Sequence, residues 1–170
     1  MKRALSVVAV AILLLGIAGA STALAPPNAK MTSGGDAMGT MADGTEAMVS
    51  FDGALSCEET QMPASLEVDW GDNTFMLEAV VEGMTSCSGD PTESPMTDFN
   101  MLEGEGTGML NGDPDYHVIY SFADYDEPAT MDMVGIEIHD PQGNTVLSVP
   151  EAVIDEGNIQ AHGQIMTPTM

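Results

Sequence analysis

Repeated alternation of apolar and polar residues, with no 3.6-residue apolar stripe anywhere after residue 24, is the feature that most narrows how this chain can fold. Leu66, Val68 and Trp70 alternate with Glu67 and Asp69, and Gly71-Asp72-Asn73 then leads into a second apolar segment over residues 75–81, which is a hairpin signal. Val118, Tyr120 and Phe122 share one face of another strand, and Val134, Ile136 and Ile138 alternate with Gly135, Glu137 and His139. Asp140-Pro141-Gln142-Gly143-Asn144 is a tight turn, with proline presetting the second position and glycine near the end. A strand over residues 145–149 follows, and Ile159, Ala161, Gly163 and Ile165 alternate in a last one. This pattern predicts an all-β body over residues 49–170, an antiparallel β-sandwich or small barrel with polar faces in water.

The N-terminus reads differently. Lys2 and Arg3 precede an almost unbroken apolar run over residues 5–17, followed by the small residues Ala18-Gly19-Ala20 and Ser21-Thr22-Ala23. That is the layout of a secretory signal peptide over residues 1–23, with cleavage expected after Ala20 or Ala23. The mature protein is then expected outside the cell or at its surface, with no membrane segment. Two rival readings are an uncleaved anchor over residues 4–25, just long enough to span, and a pilin-type leader in which Lys2-Arg3-Ala4 precedes the cut. Residues 24–48 carry Pro26-Pro27, Ser33-Gly34-Gly35, Gly39 and Gly44 without sustained apolar periodicity, and read as a flexible, methionine-dotted leader.

Charge excludes whole classes of partner. The chain has 27 Asp and Glu against three Lys and Arg, a formal net charge of −24, and Lys30 is the sole basic residue beyond Arg3. A surface this acidic repels nucleic acid and anionic lipid, and without arginine it lacks the fork that grips phosphate. Catalytic signatures are absent from the sequence as well: there is no G-x-S-x-G elbow and no glycine-rich phosphate loop ahead of a helix. In a chain so rich in acids a pair of carboxylates carries no information. The chain is expected to be no enzyme, with no catalytic residues.

Cys57 and Cys87 are the two cysteines, and in an exported chain they are expected to form a disulfide around the first hairpin. Such a bridge contributes about 3–4 kcal/mol in the chain-entropy picture. Acids concentrate at Asp113, Asp115, Asp124, Asp126, Glu127, Asp132 and Asp140, in segments joining neighbouring strands. Calcium takes six to eight oxygen ligands from such loops. Asp124, Asp126, Asp132 and Asp140, with Asp113 and Asp115, are therefore the candidate calcium ligands, against the alternative of a uniformly solvated acidic surface. His117, His139 and His162 fall on polar sides of separate strands, where only convergence would make a zinc or copper site. Fifteen methionines, among them Met38-x-x-Met41 and Met131-x-Met133, raise a soft-metal reading, while Met76, Met101 and Met109 read as packing.

Gly104-x-Gly106-x-Gly108-x-Leu110-Asn111-Gly112 precedes the aromatic strand, and Asp132-x-Val134-x-Ile136-x-Ile138-x-Asp140 and Gly157-Asn158-Ile159-x-x-His162 follow it. Over about residues 104–165 this order resembles a β domain at the ends of many secreted, modular bacterial and archaeal proteins. Gly135 and Val134 depart from its pattern, standing where a basic residue and an aromatic are usual. The resemblance implies an extracellular β-sandwich of structural or binding type. The combined expectation is a secreted, acidic, non-enzymatic module of the cell surface or matrix, calcium-stabilised, with a surface or matrix partner or self-association. The alternatives are a filament subunit, pilin-like or strand-exchanged, and an extracytoplasmic metal-handling protein using Met and His.

Overall fold

The computed structural model describes residues 29–57, 64–89, 97–125 and 131–163. Among these residues there is no helix, and the strands are β1 (Lys30–Met41), β2 (Glu46–Ser56), β3 (Ser65–Trp70), β4 (Asn73–Val80), β5 (Ser86–Ser88), β6 (Met101–Leu110), β7 (Asp113–Ala123), β8 (Met133–His139), β9 (Thr145–Val153) and β10 (Glu156–His162). Pairing is antiparallel throughout and follows chain order, β1-β2-β3-β4-β6-β7-β8-β9, with the short β5 set against β6. Thr40↔Ser148 and Met41↔Leu147 then join β1 to β9 and close the ring. Of the two architectures that alternation allows, the chain takes the eight-stranded barrel. Closure pairs both edges of the sheet, which an open sandwich leaves exposed.

The seam is made in two lengths. β9 and β10 both run antiparallel to β1, β9 along its last residues and β10 from Asp36↔Glu156 to Lys30↔His162. Between them the Asp155 amide donates to Asp36 C=O at 2.8 Å, and pairing along this side of β1 resumes with β9 at Thr40.

Inward positions are the apolar ones. Leu66, Val68 and Trp70, then Val118, Tyr120 and Phe122, then Val134, Ile136 and Ile138 are all buried in a single cluster. An eight-stranded barrel is just wide enough for side chains to fill, and large residues must face small ones. β6 supplies the small ones, since its inward row reads Leu102, Gly104, Gly106, Gly108, Leu110. A Cβ on Gly104 would lie 2.6 Å from Tyr120 Oη, and one on Gly108 would lie 2.8 Å from Phe75 Cζ. Gly104 thus makes room for Tyr120, while Gly106 and Gly108 also let the β4 backbone pass close, a Cβ on Gly106 lying 2.8 Å from Ala79 O and one on Gly108 falling closer still to Met76 O. The outer face carries the acids, the reverse of a membrane barrel, whose lipid face is apolar. No helix among the described residues is long and apolar enough to cross a membrane.

The expected flexible leader over residues 24–48 is corrected from residue 30 onward. β1 and the start of β2 occupy it, and β1 pairs with β2 from Lys30↔Ser56 to Thr40↔Glu46. The sequence pattern hides this strand because its inward positions Ser33, Gly35, Ala37 and Gly39 are small, with large residues only at the two ends, Met31 and Met41. Phe51, Val49, Leu147 and Val149 fill the space above these glycines. Residues 24–28 and the expected signal peptide lie outside the described residues. The expected disulfide is formed, linking Cys57 after β2 to Cys87 in β5, with Cα atoms 5.5 Å apart.

Candidate functional site

Strands β6 to β9 present a continuous outer face whose side chains are set by register. One row across it is Glu105, Ile119, Glu137 and Ser148, and the next is Thr107, His117, His139 and Thr145. Ladder pairing fixes these rows, since side chains of every second residue point outward. Along β9 the pairs Val134↔Ala152 and Ile136↔Val149 leave Pro150 and Glu151 opposite the lone Gly135. This is a bulge, the position where a sheet tolerates proline and re-aims a neighbouring side chain.

The result is a groove of about 450 Å³ along the outer wall, lined by Glu103, Glu105, Ile119, Gly135, Glu137 and Glu151 among others. Ile119 forms an apolar floor and is 41% exposed. Gly135 leaves the floor open beside it, and a Cβ there would fall 2.5 Å from Ser121 Oγ. Four carboxylates around an apolar strip suit an organic cation with an apolar stem, such as a lysine or arginine side chain.

At one end of the groove stand two imidazoles. His117 and His139 are direct cross-strand partners, their ring centroids 6.1 Å apart and their planes tilted by 40°. His117 Nε2 lies 3.1 Å from Glu105 Oε2, and His139 Nε2 lies 3.6 Å from Glu137 Oε1. Thr145 Oγ1 donates to the same Glu137 oxygen at 3.0 Å.

The candidate calcium ligands are distributed differently. Asp124 and Asp132 are buried. Asp124 Oδ2 accepts the Ala161 amide at 2.9 Å and Asp132 Oδ2 accepts the Ile159 amide at 2.8 Å, while Asp132 Oδ1 takes the Tyr125 amide at 3.2 Å. Ile159 and Ala161 are two apart on β10, so their N–H groups point to the same edge. The two carboxylates stand in for a missing strand along that edge. Asp113 and Asp115 are exposed at the start of β7, at the opposite end of the barrel. Asp140 shares that end and closes its own turn, its Oδ1 accepting the Gln142 and Asn144 amides at 2.9 and 2.8 Å. The Asn144 side chain and amide hold the Asp140 carboxyl below the usual carboxylate range. Asp126 lies outside the described residues.

His162 stands apart from the other two histidines, at the end of β10, with Nε2 2.8 Å from Thr32 Oγ1. Burial, then the nearby Lys30 charge, lowers its pKa, against a raising pull from Asp124. The methionine spacings do not mark the neighbours either. Met38 is the register partner of Met48, and the two are 45% and 52% exposed. Met76, expected in the core, is 50% exposed on β4. Strand alternation placed both histidines on polar faces, but their meeting depends on register, which the sequence pattern does not carry. Comparison with models of known protein families, with curated proteins and with solved structures finds no match.

Proposed function

We propose that this chain is a secreted, acidic, non-enzymatic binding module of the cell surface or matrix that engages a cationic partner through the groove on β6 to β9. The observation that carries this reading is the combination of a barrel interior filled by its own side chains with an open, carboxylate-walled groove outside. A ligand carrier of the barrel-lumen kind needs an empty interior, whereas here Tyr120 and Phe75 take up the space left beside Gly104 and Gly108 on β6. The reading of an extracellular module also agrees with the apolar run over residues 5–17 and with the Cys57–Cys87 bridge. Dissolved cations, calcium among them, stabilise such a chain by relieving the repulsion of its surface.

Calorimetric titration with a short peptide of alternating lysine and leucine tests the groove. The expected result is saturable binding that falls at least tenfold in Glu103→Gln/Glu151→Gln, and little in a control with two exposed acids removed elsewhere, Asp43→Asn/Asp72→Asn. Equal losses in both variants would mean that the whole acidic surface attracts the peptide and that the groove has no special role.

A further inference from the structure

We infer that His117 and His139, completed by Glu137 or Glu105, form a clasp for one borderline divalent transition-metal ion of the zinc, nickel or copper(II) type. This reading does not rest on the groove's cationic partner, although Glu105 and Glu137 also line the groove. Three observations carry it.

The first is placement. Two of the three imidazoles in the chain occupy the directly paired positions His117↔His139 on neighbouring antiparallel strands. Such partners have Cβ atoms about 4.5–5.5 Å apart, a span two imidazoles can bridge by closing on a single ion with metal–nitrogen bonds of about 2.0–2.1 Å.

The second is chemistry. Each imidazole already faces a carboxylate, Glu105 at 3.1 Å and Glu137 at 3.6 Å, so nitrogen and oxygen donors occur together. Imidazole with carboxylate suits zinc, nickel or copper(II), while calcium takes oxygen alone. Thr145 holds the Glu137 carboxylate from behind, as outer-shell donors do for metal ligands.

The third is access on a firm base. β7 and β8 pair from His117↔His139 to Ala123↔Met133, which fixes the backbone beneath the donors. The side chains of His117 and His139 are 34% and 19% exposed, so an ion reaches them from solvent. Among the described residues no three His, Cys, Asp or Glu side chains stand gathered as a finished metal cage. Capture therefore requires the two rings to turn from their separate carboxylates toward each other, a side-chain rotation that leaves the strands in place. The field of a chain carrying a net charge of −24 concentrates dications at its surface and favours this exchange.

Zinc chloride titrated into the full secreted chain in millimolar calcium is the test, since calcium screens the general acidic surface but does not replace a metal held by two imidazoles. The expected result is saturation at one zinc per chain, weakened at least tenfold by His117→Gln and likewise by His139→Gln, and unchanged by His162→Gln. Circular dichroism of each variant verifies that the barrel is intact, which partly exposed positions on the outer face permit. The inference is overturned by zinc binding that calcium abolishes, by absence of saturation, or by a variant of either histidine that binds as the parent does.

Discussion

Tyr120 lies flat against Gly104 across the β6–β7 ladder, so closely that a single methyl on the glycine would fall 2.6 Å from the phenol oxygen and 2.7 Å from Cζ. The space is taken by the ring as well as the hydroxyl. Gly104→Ala should therefore destabilise the barrel by about 1–3 kcal/mol, the usual result of overpacking. Tyr120→Phe should not rescue it, because the ring carbons still collide, whereas Tyr120→Leu in the same background should recover part of the loss. Urea midpoints for the four-cornered cycle measure this coupling, and strict additivity would contradict it.

A second expectation concerns the edge of β10. Asp132 receives the amides of Tyr125 and Ile159 on its two oxygens. Asp132→Ala leaves both donors without that acceptor and should lower stability by about 2–4 kcal/mol. Asp132→Asn keeps one carbonyl oxygen and should lose less. Hydrogen exchange at the Ile159 amide should accelerate in both variants, more in the alanine one. An unchanged Ile159 exchange rate would show that another group holds that amide.

Acidification should act through His162. Its folded pKa is lowered, first by burial and then by Lys30, so the unfolded chain takes up the proton more readily. Stability is therefore full above the unfolded imidazole value, about 6.5, and is lost as pH falls from there through the folded value. Asp140, also depressed, acts in the same direction, but only in the lower carboxylate range, where Asn144 and its neighbours release it. His162→Gln should flatten the urea-midpoint profile between pH 7 and pH 5 and leave the more acidic limb alone. A profile with the same slope in parent and variant would assign the loss elsewhere.

Salt and calcium should stabilise the chain by one mechanism. Molar sodium chloride shrinks the screening length to about 3 Å, and the melting temperature should rise by several degrees. Millimolar calcium should add no more than matched ionic strength accounts for. Asp124, Asp132 and Asp140 already hold backbone amides, and Asp140 stands at the opposite end of the barrel from the other two. A saturating calcium shift beyond the sodium chloride control would instead indicate a bound ion, and replacing Asp113 and Asp115 would then locate it.

Alternation was enough to find the core-facing side of β3, β7 and β8, because Trp70, Tyr120 and Ile136 and their row mates are large and apolar. β1 escaped the same test since Gly35 and Gly39 face inward under Phe51 and Val49, and small residues leave no hydrophobic period. Burial of Asp132 was equally hidden. Its partner Ile159 lies 27 residues away, and nothing local distinguishes a carboxylate that caps a strand edge from one that meets water. The histidine pair depended on a register of one residue, since a slip would turn His139 to the other face.

The pairing of β10 with β1 also orders events in time. Thr32 and His162 meet across 130 residues, within a β1–β10 pairing that spans far more of the chain than any hairpin does. Loop closure of that span is a late, slow step in folding. Any process that withholds residues 156–162, whether threading through a narrow channel or clipping at the junction after Val153, leaves the edge of Lys30 to Asp36 without its partner and the ring held only where Thr40 and Met41 meet β9.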